Sequence, residues 1–125
     1  MRRTLLPALA ATAAVLSLTA CGDGSGAYCE TLTDDSATAA VVYTSLIPEM
    51  NSVEDAQARL DLVIAAEEDV PDELAEDLST WKSYLEGAVQ DMETDPNAVF
   101  AEGNSDEVSS AGDALFEHYT GTCMG

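Results

Sequence analysis

The chain has 125 residues and sets 24 acidic side chains against four basic ones, a formal charge of −20, while 46% of its residues are hydrophobic. That length accommodates one small domain, and that charge excludes nucleic acid as a partner, because phosphate binding needs clustered Lys and Arg. The apolar residues are too many and too periodic for a disordered acidic tail.

Arg2-Arg3 precede a short apolar stretch from Leu5 to Leu18, which closes on Leu18-Thr19-Ala20-Cys21. This has the form of a bacterial lipoprotein signal: a positive start, a brief apolar core, and small residues before a cysteine. Residues 1–20 are expected to be removed. The Cys21 thiol would then take a diacylglyceryl group, and its freed amine a further acyl chain such as palmitate. Leu5 to Ala20 is 16 residues, short for a membrane span of about 20. A secretory signal cut elsewhere is the competing assignment, and Arg2-Arg3 leaves general or twin-arginine export open. Residues 21–27 form the lipidated cysteine and a short Gly/Ser tether, and 28–125 an acidic domain. After processing, only Arg59 and Lys82 remain basic against all 24 acids, a formal −22. An anionic membrane surface repels such a domain, so the lipid at Cys21 is its expected attachment.

Cys29 and Cys123 remain as an even pair in an exported setting, and a disulfide between them would staple the two ends of the domain. Two free thiols or a metal pair are the alternatives. A metal centre wants more sulfur or imidazole ligands than His118 alone supplies.

Four amphipathic segments follow in order. Tyr28, Leu32, Ala39, Tyr43 and Leu46 recur at helical spacing up to Pro48, with a weak stretch at Thr33–Ser36 that predicts a bend. Ser52 predicts an N-cap with Asp55 in third position, followed by an apolar face of Val53, Ala56, Leu60, Val63 and Ile64. Pro71 with Asp72 and Glu73 marks a third helix start. Its stripe is Leu74, Leu78, Trp81, Leu85, Val89 and Met92, and Asp95-Pro96 stops it. Asn97–Glu102 predicts one short turn with Val99 and Phe100 inward. Asn104 through Glu107 has capping-box form and opens a last helix carrying Val108, Ala111, Leu115 and Tyr119 to Gly121. No period-2 alternation occurs. The expectation is an all-α antiparallel bundle of about four helices with the terminal helices tied by one disulfide.

The ordered set Leu18-Thr19-Ala20-Cys21-Gly22, Tyr28-Cys29-Glu30, Val70-Pro71-Asp72-Glu73-Leu74, Asp77 with Trp81-Lys82, and Glu117-His118-Tyr119 before Cys123 resembles a large set of small actinobacterial lipoproteins of unknown function. The likeness covers nearly the whole chain, which is shorter than many such proteins between its third and fourth helices. It implies a helical, disulfide-tied, membrane-anchored domain and no activity.

Little in the chain points to catalysis. His118 is the sole histidine, and no nucleophile elbow of the G-x-S-x-G kind stands with it; a helix-end structural role is expected. Cys29 and Cys123 do not form the C-x-x-C arrangement that activates a thiol. The densest charge is Glu67, Glu68, Asp69, Asp72, Glu73, Glu76 and Asp77. These carboxylates are a candidate surface for a basic envelope protein or for weak divalent-cation binding. The calcium-loop and Glu-x-x-His signatures of dedicated sites are missing. Trp81 is expected in the core with its N–H reaching the surface, and Lys82 facing water. A small-molecule or lipid groove between helices would be lined by Trp81, Tyr43, Leu85 and Phe116. The sequence therefore predicts a non-enzymatic binding module without cofactor or metal, lipid-anchored on the extracytoplasmic face of the cell membrane.

Overall fold

The computed structural model describes residues 26–124, which form six α-helices and no strand. The signal, Cys21 and the start of the tether lie outside the described residues.

The first expected helix divides in two. Helix α1 spans Gly26–Asp34 and α2 spans Ser36–Val42. Between them the Asp35 carboxylate accepts from the Thr38 amide at 3.4 Å and caps a new helix. The bend expected at Thr33–Ser36 is therefore a break, made by a short polar side chain that competes with the helical backbone. A continuous helix would hold Tyr28 and Tyr43 about 22 Å apart. After the break their hydroxyls meet at 2.6 Å.

Helix α3, Val53–Glu67, opens with the predicted capping box. Ser52 Oγ accepts from the Asp55 amide at 3.2 Å, and Asp55 Oδ2 accepts from the Ser52 amide at 2.9 Å. Ala56, Leu60 and Val63 are buried as expected, but Ile64 is exposed, while Leu62 and Arg59 are buried. α3 packs against α1, α2 and α4 at once, so its buried surface is wider than one stripe and rotated away from Ile64.

Pro71 leads into a 3-10 turn, Asp72–Leu74, which continues as α4, Ala75–Asp91. α4 is the central helix, packed on α3, α5 and α6. Leu74, Leu78, Trp81, Leu85 and Met92 are buried and Val89 is half-buried, and Tyr84 and Ala88 join them. Asp95-Pro96 ends this run and starts the next. The Asp95 carboxylate accepts from the Ala98 amide, with Pro96 at the first position of α5, Pro96–Gly103. The short turn expected here is thus a two-turn helix. Val99 is buried, but Phe100 is 53% exposed. Neighbouring residues on a helix point about 100° apart, and a helix buried on one side does not turn both inward.

Helix α6, Asp106–His118, is capped by Ser105, whose Oγ accepts from the Val108 amide. The expected cap, Asn104, instead closes α5 by donating to the Phe100 carbonyl at 2.8 Å. Val108, Ala111, Leu115 and Tyr119 are buried as predicted. A π turn, Tyr119–Cys123, brings Cys123 to Cys29, and the two are joined by a disulfide with Cα atoms 5.0 Å apart. The architecture is an all-α antiparallel bundle with its terminal elements stapled. It has six helices where about four were expected, because the first divides and the short turn is a helix.

Trp81 centres the core at 1% exposure. Its N–H does not reach the surface but donates to the Val42 carbonyl at 2.8 Å. Tyr43 meets it edge-on and Tyr84 at a tilt, with centroids 6.4 and 5.0 Å away. On the α6 side the ring lies against Gly112, where an added Cβ would fall 2.6 Å from Cζ3. Gly103 plays the same part for Tyr84, whose hydroxyl reaches across to accept from the Leu46 amide at 2.9 Å.

Candidate functional site

Three features of the described surface bear on function. The first is the groove anticipated between helices. Tyr43, Trp81 and Phe116 do converge, with Thr44, Ser45, Ser109 and Asp113, on a cleft of about 160 Å³. Leu85 is fully buried and takes no part. Trp81 and Tyr43 are 1% and 3% exposed, so the cleft floor offers little ring surface to a ligand. Ligand pockets for organic molecules start near 300 Å³. This cleft is too small for a lipid chain.

The acidic block runs from the end of α3 through the connecting turn into α4. Glu67 closes α3, Asp72 and Glu73 lie in the 3-10 turn, and Glu76 and Asp77 in the first turn of α4. No side chain caps α4. The four carboxylates Asp72, Glu73, Glu76 and Asp77 at its positive end compensate for that, a structural reason for their presence. Glu67 is engaged with Lys82, Nζ to Oε1 at 2.9 Å, which draws the lysine out of the open solvent in which it was expected. Hydrogen bonding to Glu67 raises the Lys82 pKa. Glu68, Asp69, Asp72, Glu73 and Glu76 remain exposed. Among the described residues no three His, Cys, Asp or Glu side chains gather in a way that would hold a metal ion.

His118 sits at the end of α6, half-buried, with its ring edge-on to Tyr28 at 5.7 Å between centroids. The Tyr28 and Tyr43 hydroxyls are both pushed above the ordinary tyrosine range, chiefly by burial.

The third feature escaped the sequence reading. Arg59, on α3, is 5% exposed and lines a cleft of about 330 Å³ with Ala37, Thr38, Val41, Asn51, Asp55 and Ala58. Its Nη1 donates to the Thr44 carbonyl at 2.8 Å and to Thr44 Oγ1 at 3.3 Å. Burial lowers its pKa, partly offset by the Asp55 charge, and a guanidinium stays protonated regardless. Asp55 is held below the ordinary carboxylate range, first by the Ser52 amide. The sequence signal for this site was present: the one arginine of the domain, one turn after an N-terminal aspartate and inside an apolar run.

No family model, curated protein or solved structure matches this chain.

Proposed function

We propose that the protein is a lipid-anchored, extracytoplasmic binding module without enzymatic activity, processed at Cys21 and engaging a basic envelope protein through the exposed carboxylates Glu68, Asp69, Asp72, Glu73 and Glu76. The observation that carries this reading is the bond between Cys29 and Cys123. A disulfide-tied domain belongs to an oxidising compartment. With those two cysteines paired, the third in the chain is Cys21, preceded by Leu18-Thr19-Ala20. The resemblance to small actinobacterial lipoproteins supports the same placement. No described helix is long and apolar enough to cross a membrane, so attachment in this reading falls to the lipid.

Two measurements test it. The intact mass of the membrane-extracted full chain should start at Cys21 with added acyl mass, and its thiols should resist alkylation until reduced. A mass without acyl chains, or free thiols at Cys29 and Cys123, overturns the anchored module. Crosslinking in envelope preparations should then capture a basic protein, and the capture should be lost when Glu68, Asp69, Asp72, Glu73 and Glu76 become Gln or Asn. Unchanged capture would refute the acidic block as the contact surface.

A further inference from the structure

We propose that the cleft between α2 and α3 is a binding site for a small zwitterion of the α-amino-acid class, its carboxylate on Arg59 and its ammonium on Asp55. In a chain with 24 acidic residues, the single ion pair among the described residues is Lys82 with Glu67. Arg59, 5% exposed, has no carboxylate within 4 Å, and Asp55 acts on it only from farther away. Burying a charge is unfavourable unless it is paired, and a buried guanidinium ordinarily finds a carboxylate.

The donor geometry sharpens the point. Thr44 occupies Nη1, which leaves the Nε/Nη2 edge with no protein partner. That edge has the parallel N–H pair that grips a carboxylate bidentately. It is not sealed inside the protein, since no Arg59 nitrogen is both enclosed and unbonded, and Arg59 lines the cleft.

Asp55 completes the site. It lies four residues before Arg59 on α3, a spacing that sets Cβ atoms about 5–6 Å apart and invites a salt bridge. No contact within 4 Å forms: Asp55 Oδ2 accepts from the Ser52 amide and Arg59 Nη1 donates to Thr44, while the two charges still act on each other at longer range. Both charges border one cleft of about 330 Å³, within the range for small organic ligands, whose remaining walls include the apolar Ala37, Val41 and Ala58. Two opposite charges lining one cleft beside an apolar wall match the ammonium, carboxylate and side chain of an apolar amino acid. The long-range field agrees. A net charge of −20 repels a simple carboxylate, whereas a zwitterion has no net charge for it to repel.

The test is a titration of the isotope-labelled full chain, followed by backbone amide shifts, with L-leucine, N-acetyl-L-leucine and L-leucinamide. L-leucine should bind saturably in the millimolar range or tighter, with shifts centred on Thr38, Val41, Asn51 and Ala58. The two blocked forms, each lacking one charge, should bind about tenfold more weakly or not at all. Arg59→Gln should abolish binding. Because that variant removes a buried group, two surface variants decide the matter should it fail to fold. Asp55→Asn keeps an oxygen for the Ser52 cap and should weaken L-leucine about tenfold. Val41→Glu, at an exposed wall position, should block the cleft. No saturable shift with L-leucine, equal binding of either blocked form, or unchanged binding in folded Asp55→Asn and Val41→Glu would overturn the assignment. This outcome is independent of whether Cys21 carries lipid.

Discussion

Gly112→Ala tests the packing at the centre of the bundle. The substitution sits inside α6, where alanine is favoured over glycine by about 0.8–1 kcal/mol of helix propensity. Against this, the new methyl would stand 2.6 Å from Trp81 Cζ3 and 3.0 Å from Cη2. Carbon atoms in contact want about 3.5–4.0 Å, so something must move by roughly 1 Å. Trp81 is poorly placed to yield, since its N–H is tied to the Val42 carbonyl and Tyr43 and Tyr84 flank the ring. Overpacking of this kind costs about 1–3 kcal/mol, and the severity of the clash argues for the upper half. The net expectation is a loss of about 1–2 kcal/mol, or roughly 5–10 °C in Tm for a domain of this size. Urea unfolding followed by fluorescence of Trp81, the one tryptophan in the chain, measures it directly. Gly87→Ala is the internal control. Its Cβ meets only Glu102 Oε1, at an ordinary 3.7 Å, so the variant should gain about 0.5–1 kcal/mol. If Gly112→Ala proves as stable as the parent, the tight seating of Trp81 on α6 is wrong.

Other consequences follow from the same contacts. Replacing Cys29 and Cys123 by Ser opens a loop of sequence separation 94, and the urea-derived stability should fall by about 4–5 kcal/mol in the chain-entropy account. Tyr84→Phe strands the buried Leu46 amide, a loss of about 1–3 kcal/mol visible in the same titration. Tyr28 and Tyr43 have folded-state pKa values raised above the ordinary 10.0. The unfolded chain therefore releases these protons first as pH rises. Stability should be level below about pH 10 and fall above it, with each tyrosine adding up to about 1.4 kcal/mol per pH unit. Tyr28→Phe should flatten that alkaline slope in pH-jump denaturation, and an unaltered slope would exclude the pair as its source.

What could be read from residue order is what is settled within a few positions. The Ser52–Asp55 box, the stripe from Leu74 to Met92 and the weakness at Thr33–Ser36 all act locally, and each is present. The misplacements share one cause, which is dependence on distant chain. Trp81 turned its N–H inward because Val42, 39 residues away, offers a carbonyl. Tyr84 is buried because the Leu46 amide needs an acceptor and Gly103 leaves room. Arg59 was passed over because a charge inside an apolar run is read as surface until its Thr44 partner is seen. Phe100 and Ile64 point outward because the chain does not announce on how many sides α5 and α3 will be covered. Of the candidate surfaces, the acidic block was legible as charge. The Arg59 cleft needed three-dimensional placement, because its walls come from α2, α3 and the residues between them.

The position of the disulfide has a mechanical consequence. Cys29 lies in the first turn of α1 and Cys123 in the last turn of the fold. A load applied to the N-terminus therefore does not unzip α1 turn by turn. After about three residues have given way, the force passes through a covalent bond into the far end of the chain. The bundle then meets tension as a closed ring, pulled at its seam, and the helices within it are shielded from shear. The same seam holds the last turn, Tyr119–Cys123, against fraying. Two terminal elements that would ordinarily fray first are thereby closed into one covalent loop.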